Sequence, residues 1–165
     1  FYLRIKVMTK TVEKALGLFE RTRYSMLKTL DEFSEEQLYK IPDGFGNNIL
    51  WNFGHLVVSQ QFLTYDLAGL PMTVSEDWKE RFIEGSSPRN WQDNNIDIQA
   101  LRDASLSLVT KAQEDWQRGV FENINFSYQT SFGGELKTPL DAINYNNYHE
   151  GVHYGTIRAL RLFVR

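Results

Sequence analysis

The chain contains no cysteine. That excludes a disulfide framework, a thiolate nucleophile and any cysteine-type zinc site, and it leaves histidine and carboxylate as the available metal ligands. Runs of lysine and arginine are missing too. Its 18 basic side chains are scattered among 21 acidic ones for a net charge of −3, which gives no electrostatic footprint for nucleic acid or an anionic membrane surface. No apolar stretch approaches the roughly 18 residues of a membrane span, and the start lacks the apolar region of a signal peptide. The expectation is a cytoplasmic protein with a small-molecule substrate and neither a nucleic acid nor a membrane as partner. Histidine is scarce, with three in 165 residues, and this scarcity makes the placement of each one informative.

What is present fits one ordinary globular domain. Apolar residues make up 42% of the chain and charged residues 24%, too balanced for a disordered or fibrous protein. A chain of this length can bury its own core without a structural metal. The domain is read as residues 8–165. Residues 1–7 precede Met8 and the first convincing helical pattern, and are read as an upstream extension or a cloning remnant. Assembly as a homodimer is compatible with these features.

Helical periodicity dominates. Val12, Ala15, Leu16, Phe19, Leu27, Leu30 and Phe33 largely follow one helical stripe. Ser34-Glu-Glu-Gln37 has capping-box form and predicts a short helical turn. Asn47 or Asn48 can cap a second long helix to about Ala68, ended by Gly69-Leu-Pro71. Residues 71–96 read as a long connection with a helical turn and three aromatics, Trp78, Phe82 and Trp91. A third helix runs from about Asp97 to Gly119. Between Val120 and Lys137 the period changes and Gly133-Gly134 offers a turn, which predicts a short β-hairpin. Thr138-Pro139 supplies an N-cap followed by proline at the first helical position, so a last helix runs from there to the end. The fold class is all-α: an up-down four-helix bundle with long connections and a short β-hairpin before the last helix.

The three histidines fall on two of these helices. His149 and His153 are four residues apart, so both rings lie on one face of the last helix within reach of a single ion. His55 sits midway along helix two, where Asn48, Asn52 and Ser59 form a polar strip on an otherwise apolar helix. Bundles build metal sites from inward side chains of facing helices, and three neutral imidazoles suit Zn, Ni, Fe or Cu better than Mg or Ca. His55, His149 and His153 are therefore the candidate ligands of one divalent transition metal ion. Since ligating imidazoles must be neutral, loading should weaken below about pH 6, as free imidazole takes up its proton.

His149-Glu150-Gly151-Val152-His153 also satisfies the HExxH pattern of zinc proteases. A zincin needs a sheet beside that helix and a third ligand further along the chain. Here only a short tail follows and the third histidine lies far upstream, so the protease reading is set aside. Glu150 is a candidate base, although a residue next to a ligand on a helix points about 100° away from it. Asn52, Ser59 and Tyr145 are candidate cavity-lining residues, and Trp51, Trp78 and Trp91 read as core or lid.

The sequence resembles the DinB-like superfamily, which includes YfiT-type proteins and thiol-dependent S-transferases. The resemblance rests on Trp51-Asn-Phe-Gly-His55-Leu56 on helix two and on His149-Glu-Gly-Val-His153-Tyr-Gly155-Thr156-Ile157 on the last helix, opened by Thr138-Pro-Leu-Asp141. It covers Met8 to the C-terminus. Thr156 replaces a glutamine frequent in the family, which leaves the three histidines intact. The resemblance implies an ion such as Zn or Ni held by the three histidines, with its remaining positions open to water or substrate. It also implies a low-molecular-weight thiol as cosubstrate, transferred to a small electrophile. A metal-dependent hydrolase and a non-catalytic, stress-related metal-binding protein are the alternatives.

Overall fold

The structure, a computed structural model, describes the backbone of residues 2–164 and the side chains of residues 10–164. The reading of residues 1–7 as an extension falls on side chains outside those described.

Four long helices, α1 (Tyr2–Leu30), α3 (Ile49–Thr64), α5 (Ile98–Gln117) and α6 (Pro139–Leu160), form the bundle, and two short ones, α2 (Glu35–Tyr39) and α4 (Glu76–Phe82), lie in the connections. Each of α3 and α1 packs against both α5 and α6, so the four long helices enclose a common core. The predicted hairpin is a minimal two-stranded antiparallel sheet, β1 (Tyr128–Gln129) and β2 (Glu135–Leu136), with Tyr128 opposite Leu136. Among the described residues no helix is long and apolar enough to cross a membrane.

Local chemistry sets the helix starts. Ser34 and Thr138 both form capping boxes, and Asn48, Ser75 and Asp97 each accept a hydrogen bond from a backbone N–H in the first turn of the helix they cap. These bonds satisfy amides that a helix start would leave unpaired. Three boundaries differ from the sequence expectation, the first being that the α1 backbone is already helical from Tyr2, ahead of the stripe that opens at Val12. Helix α3 ends at Thr64 and hands over to a 3-10 turn at Asp66–Ala68, closed by Gly69 in the left-handed region. Helix α6 stops at Leu160, short of the C-terminus.

Helix α3 is the centre of the molecule. All of its residues are buried except Ser59 and Phe62. It carries Ile49, Phe53, Leu56 and Val57 into a core shared with Met26, Leu101, Ile157 and Leu160. A helix this apolar must be covered on every side, and α4 supplies part of the cover through Phe82, which is fully buried.

Two buried acids hold the bundle's polar interior. Asp115 accepts from Tyr65 Oη at 2.8 Å and Lys111 Nζ at 2.6 Å, and also from Arg118. Glu150 and Arg23, both almost wholly inaccessible, form a two-pronged pair: Nε to Oε2 at 2.8 Å and Nη2 to Oε1 at 2.5 Å. The same Nη2 donates to the backbone carbonyl of Leu56 at 2.6 Å. One guanidinium thereby ties α1 to α6 and α3. Arg23→Met would strand a buried carboxylate, a change that costs about 3–5 kcal/mol, whereas replacing both partners by apolar residues of similar volume is often neutral. Urea denaturation should show that loss for Arg23→Met and recovery of most of it in Arg23→Met/Glu150→Leu. Equal stability of the single variant and the parent would show that the pair does not hold the bundle.

Candidate metal centre

His55 on α3 and His149 and His153 on α6 meet across the interface of the two helices. Each offers one ring nitrogen, and the three nitrogens lie within 4.8 Å of one another. His55 is buried, and the other two are partly open to a cavity of ≈ 950 Å³ that all three line. The four-residue spacing on α6 does what the sequence expected, placing both imidazoles on the face toward α3.

Their orientation is fixed by neighbours on the same elements. His55 Nδ1 stands 2.7 Å from the carbonyl oxygen of Phe82. A carbonyl only accepts, so Nδ1 carries the proton and the Nε2 lone pair faces the site. His153 Nδ1 stands 2.8 Å from Asn52 Oδ1, while the Asn52 amide nitrogen donates to the Asn48 carbonyl at 2.8 Å, which fixes the way the amide faces. His153 therefore also keeps its proton on Nδ1 and leaves Nε2 free. Trp51, one turn before His55, stacks on its ring with centroids 4.6 Å apart and planes at 9°, and Tyr145 stacks on His149. Such outer partners are how metal-binding histidines are held in one tautomer and one plane.

The spacing fits a metal. His55 Nε2 and His149 Nε2 are 3.2 Å apart. Two nitrogens bound at about 2.0–2.1 Å to one tetrahedral ion stand about 3.3 Å from each other. Without an ion, a proton on His149 Nε2 fills the gap as an N–H···N bond. His149 Nδ1, buried and without a hydrogen-bond partner, makes no competing demand on the ring. Ser59 adds a hydroxyl 3.2 Å from His55 Nε2, inside the cavity.

Electrostatics favour neutral ligands. Burial pushes His149 down to about 3 and His153 down to about 4, with neighbouring histidines adding to the shift, and burial also lowers His55. Desolvation penalises imidazolium, so the three rings are uncharged lone-pair donors at neutral pH. Proton competition with the metal accordingly sets in at lower pH than free histidine suggests.

A sequence profile of the DinB superfamily matches residues 18–157, a span that contains all three histidines. The chain belongs to the DinB superfamily. No curated protein matches it.

In this DinB-superfamily chain the other sequence candidates divide. Asn52, Ser59 and Tyr145 line the cavity as expected, and so does Trp51. Trp78 packs on the core from the long connection, and Trp91 stands edge-on to Tyr39 and Phe82. Glu150 does not face the histidines. It points toward α1 and is held by Arg23, so the HExxH pattern carries two candidate ligands and a structural acid rather than a protease base. Sequence reading missed Phe82, whose carbonyl orients His55. The signal was Gly54: a Cβ there would lie 2.4 Å from the Phe82 ring. Glycine inside a helix is otherwise unfavourable, and here it admits the ring that brings the carbonyl to His55.

Two outcomes follow from this geometry. Gly54→Ala should displace Phe82 and free the His55 ring, weakening metal binding by about 10–100-fold, the usual cost of losing an outer-shell partner. Calorimetric titration with zinc would measure it, and unchanged affinity would show that the Phe82 carbonyl does not orient the ligand. The second concerns metal-free stability. The folded chain holds its histidines below the unfolded value of about 6.5, so the unfolded state binds more protons as pH falls through that value, and stability drops. Melting temperature of chelator-treated protein should fall between pH 7 and pH 5, and fall less in His149→Ala/His153→Ala. Parallel curves for the two proteins would contradict the assigned burial of the rings.

Proposed function

We propose that the protein is a metal-dependent transferase that adds a low-molecular-weight thiol to a small electrophile. The observation that carries this reading is the convergence of three neutral imidazoles on the wall of a large cavity, in a cluster that no fourth histidine or carboxylate joins among the described residues. A structural zinc site fills all four positions with protein, while three protein ligands and an open face are the pattern of a catalytic one. When bound, zinc or nickel would supply Lewis acidity that lowers the pKa of a thiol or of water.

The chain's own residues favour the thiol. With no cysteine in the sequence, the sulfur of a thiol transfer would arrive from outside, and ≈ 950 Å³ is at the upper end of ordinary ligand cavities, room for two small reactants. A zincin-type hydrolase would use the carboxylate beside its first histidine ligand as the base that draws a proton from water. Glu150, the carboxylate next to a histidine in sequence, is turned away into its pair with Arg23. A thiol, already acidic near neutral pH, needs less help. His55, His149 and His153 hold the ion, Asn52 and the Phe82 carbonyl keep two of their rings in place, and Trp51 walls off the side of His55.

The test begins with elemental analysis of tag-free protein, expected to show about one transition-metal ion per chain. Conjugation of monochlorobimane with a panel of thiols, run with added zinc or nickel, should then show thiol-specific turnover. His153→Ala should lose it by more than the ~100-fold that an outer-shell change can cost, and lose metal with it. Cleavage of esters or amides by water without thiol would overturn the transferase reading in favour of a hydrolase. A metal-loaded protein inert in both assays would mark a non-catalytic metal-binding protein.

A further inference from the structure

The mouth of the cavity has its own chemistry, distinct from that of its histidine wall. Ile83, Phe132, Tyr148 and Val152 line it and are all at least 44% exposed. Phe132, at the hairpin tip, stands edge-on to Tyr148 with centroids 5.2 Å apart. Large apolar side chains left open around one cavity mark a place where an apolar body is received.

The charges that line the same cavity are Asp66, Lys79 and Glu84. Lys79 Nζ is already engaged by Glu76 Oε1 at 2.6 Å. Neither Asp66 nor Glu84 has an ion-pair partner among the described residues. Glu84 follows by two residues Phe82, whose carbonyl holds His55, and its field reaches both His55 and Tyr128. A ligand in the cavity thus meets lone-pair donors at the wall, aromatic and aliphatic surface along its body, and uncompensated carboxylates beside it.

We propose that this cavity selects a ligand with an apolar, aromatic-compatible body and a neutral or positively charged polar group, and that Asp66 and Glu84 reject ligands carrying a carboxylate. This rests on reading the cavity as the substrate site of the transferase. Asp66 and Glu84 lie along the wall of the same cavity as the histidines, so a thiol or electrophile carrying several carboxylates is a poor fit.

Three ligands that share one body and differ in end charge test this: 4-phenylbutylamine, 4-phenylbutanol and 4-phenylbutyrate. Binding to the full chain, stripped of metal with chelator, is followed by tryptophan fluorescence, to which Trp51 in the cavity wall contributes. The amine should bind about tenfold more tightly than the carboxylate, the size expected of two nearby carboxylates acting through near-surface dielectric, with the alcohol between them. Asp66→Asn/Glu84→Gln, two exposed positions, should bring the three affinities together. Lys79→Gln should leave their order unchanged, and Phe132→Ser should weaken all three alike. Equal or tighter binding of the carboxylate by the parent chain, an unchanged ratio in the double variant, or no binding of any of the three would overturn the proposal. None of these ligands contains a thiol and the protein carries no metal, so the outcome is independent of the conjugation assay, and the two readings can fail separately.

Discussion

Arg23 is the contact on which the arrangement of the other helices depends. Its guanidinium bonds Glu150 on α6 and the carbonyl of Leu56 on α3, and each of these neighbours a histidine of the site: Glu150 follows His149, and Leu56 follows His55. Successive residues of a helix are turned by about 100°. When Glu150 faces α1, His149 is consequently turned toward α3, and His153 one turn later with it. The ion pair fixes the rotation of α6 about its own axis, and the Leu56 bond fixes the height of α3 against it. A fully buried pair is a poor source of net stability, since desolvation of two charges consumes most of their attraction. Its effect here is on register, because any slide of α6 against α1 or α3 would leave a charge in the core without a partner.

The second constraint is that α3 has no solvent face. Its buried residues are enclosed by α5, α6 and α4, and its two less buried residues, Ser59 and Phe62, both line the cavity. The cavity is thus the place where the otherwise complete cover of α3 is interrupted, and His55 lies beside that opening. Phe82 presses on Gly54 and delivers its carbonyl to His55, so the residue that seals the core also sets the tautomer of the ring. Packing and coordination geometry are the same contact at that point.

The parts of this arrangement legible in the sequence are the ones governed by local chemistry. Ser34, Asn48, Asp97 and Thr138 cap the helices they were expected to start, because a cap needs only a side-chain oxygen and the amides two or three residues on. The His149–His153 spacing reads the same way. What was not legible joins distant segments. Arg23 and Glu150 are separated by 127 residues, and each looks like one more charge on a helix. A signal was nevertheless present: Leu16, Phe19, Met26 and Leu30 are buried at helical spacing, and Arg23 occupies the position between Phe19 and Met26. A charge standing in an apolar stripe calls for a buried partner. The long connection hid the other contact, since a backbone carbonyl from Phe82 leaves no trace in residue type. Only the glycine it packs on is visible, and glycine in a helix has several causes.

The separation of fold from site has a consequence for what the metal can be. The bundle has its own core, its own caps and a buried polar network that does not involve the three histidines directly. Those histidines are held uncharged by burial, and His55 and His153 are held in fixed tautomers by Phe82 and Asn52, so much of the ordering that metal binding would require is already done by the fold. A zinc finger is the opposite case, in which ligands become ordered only with the metal and binding energy is folding energy. Here the fold has already ordered two of the three rings, so less of the binding energy goes into organising ligands, and the ion would stabilise the chain only as any native-state ligand does. An ion bound by those histidines would stand on the one wall of α3 that opens to a cavity, and so within reach of whatever enters that cavity.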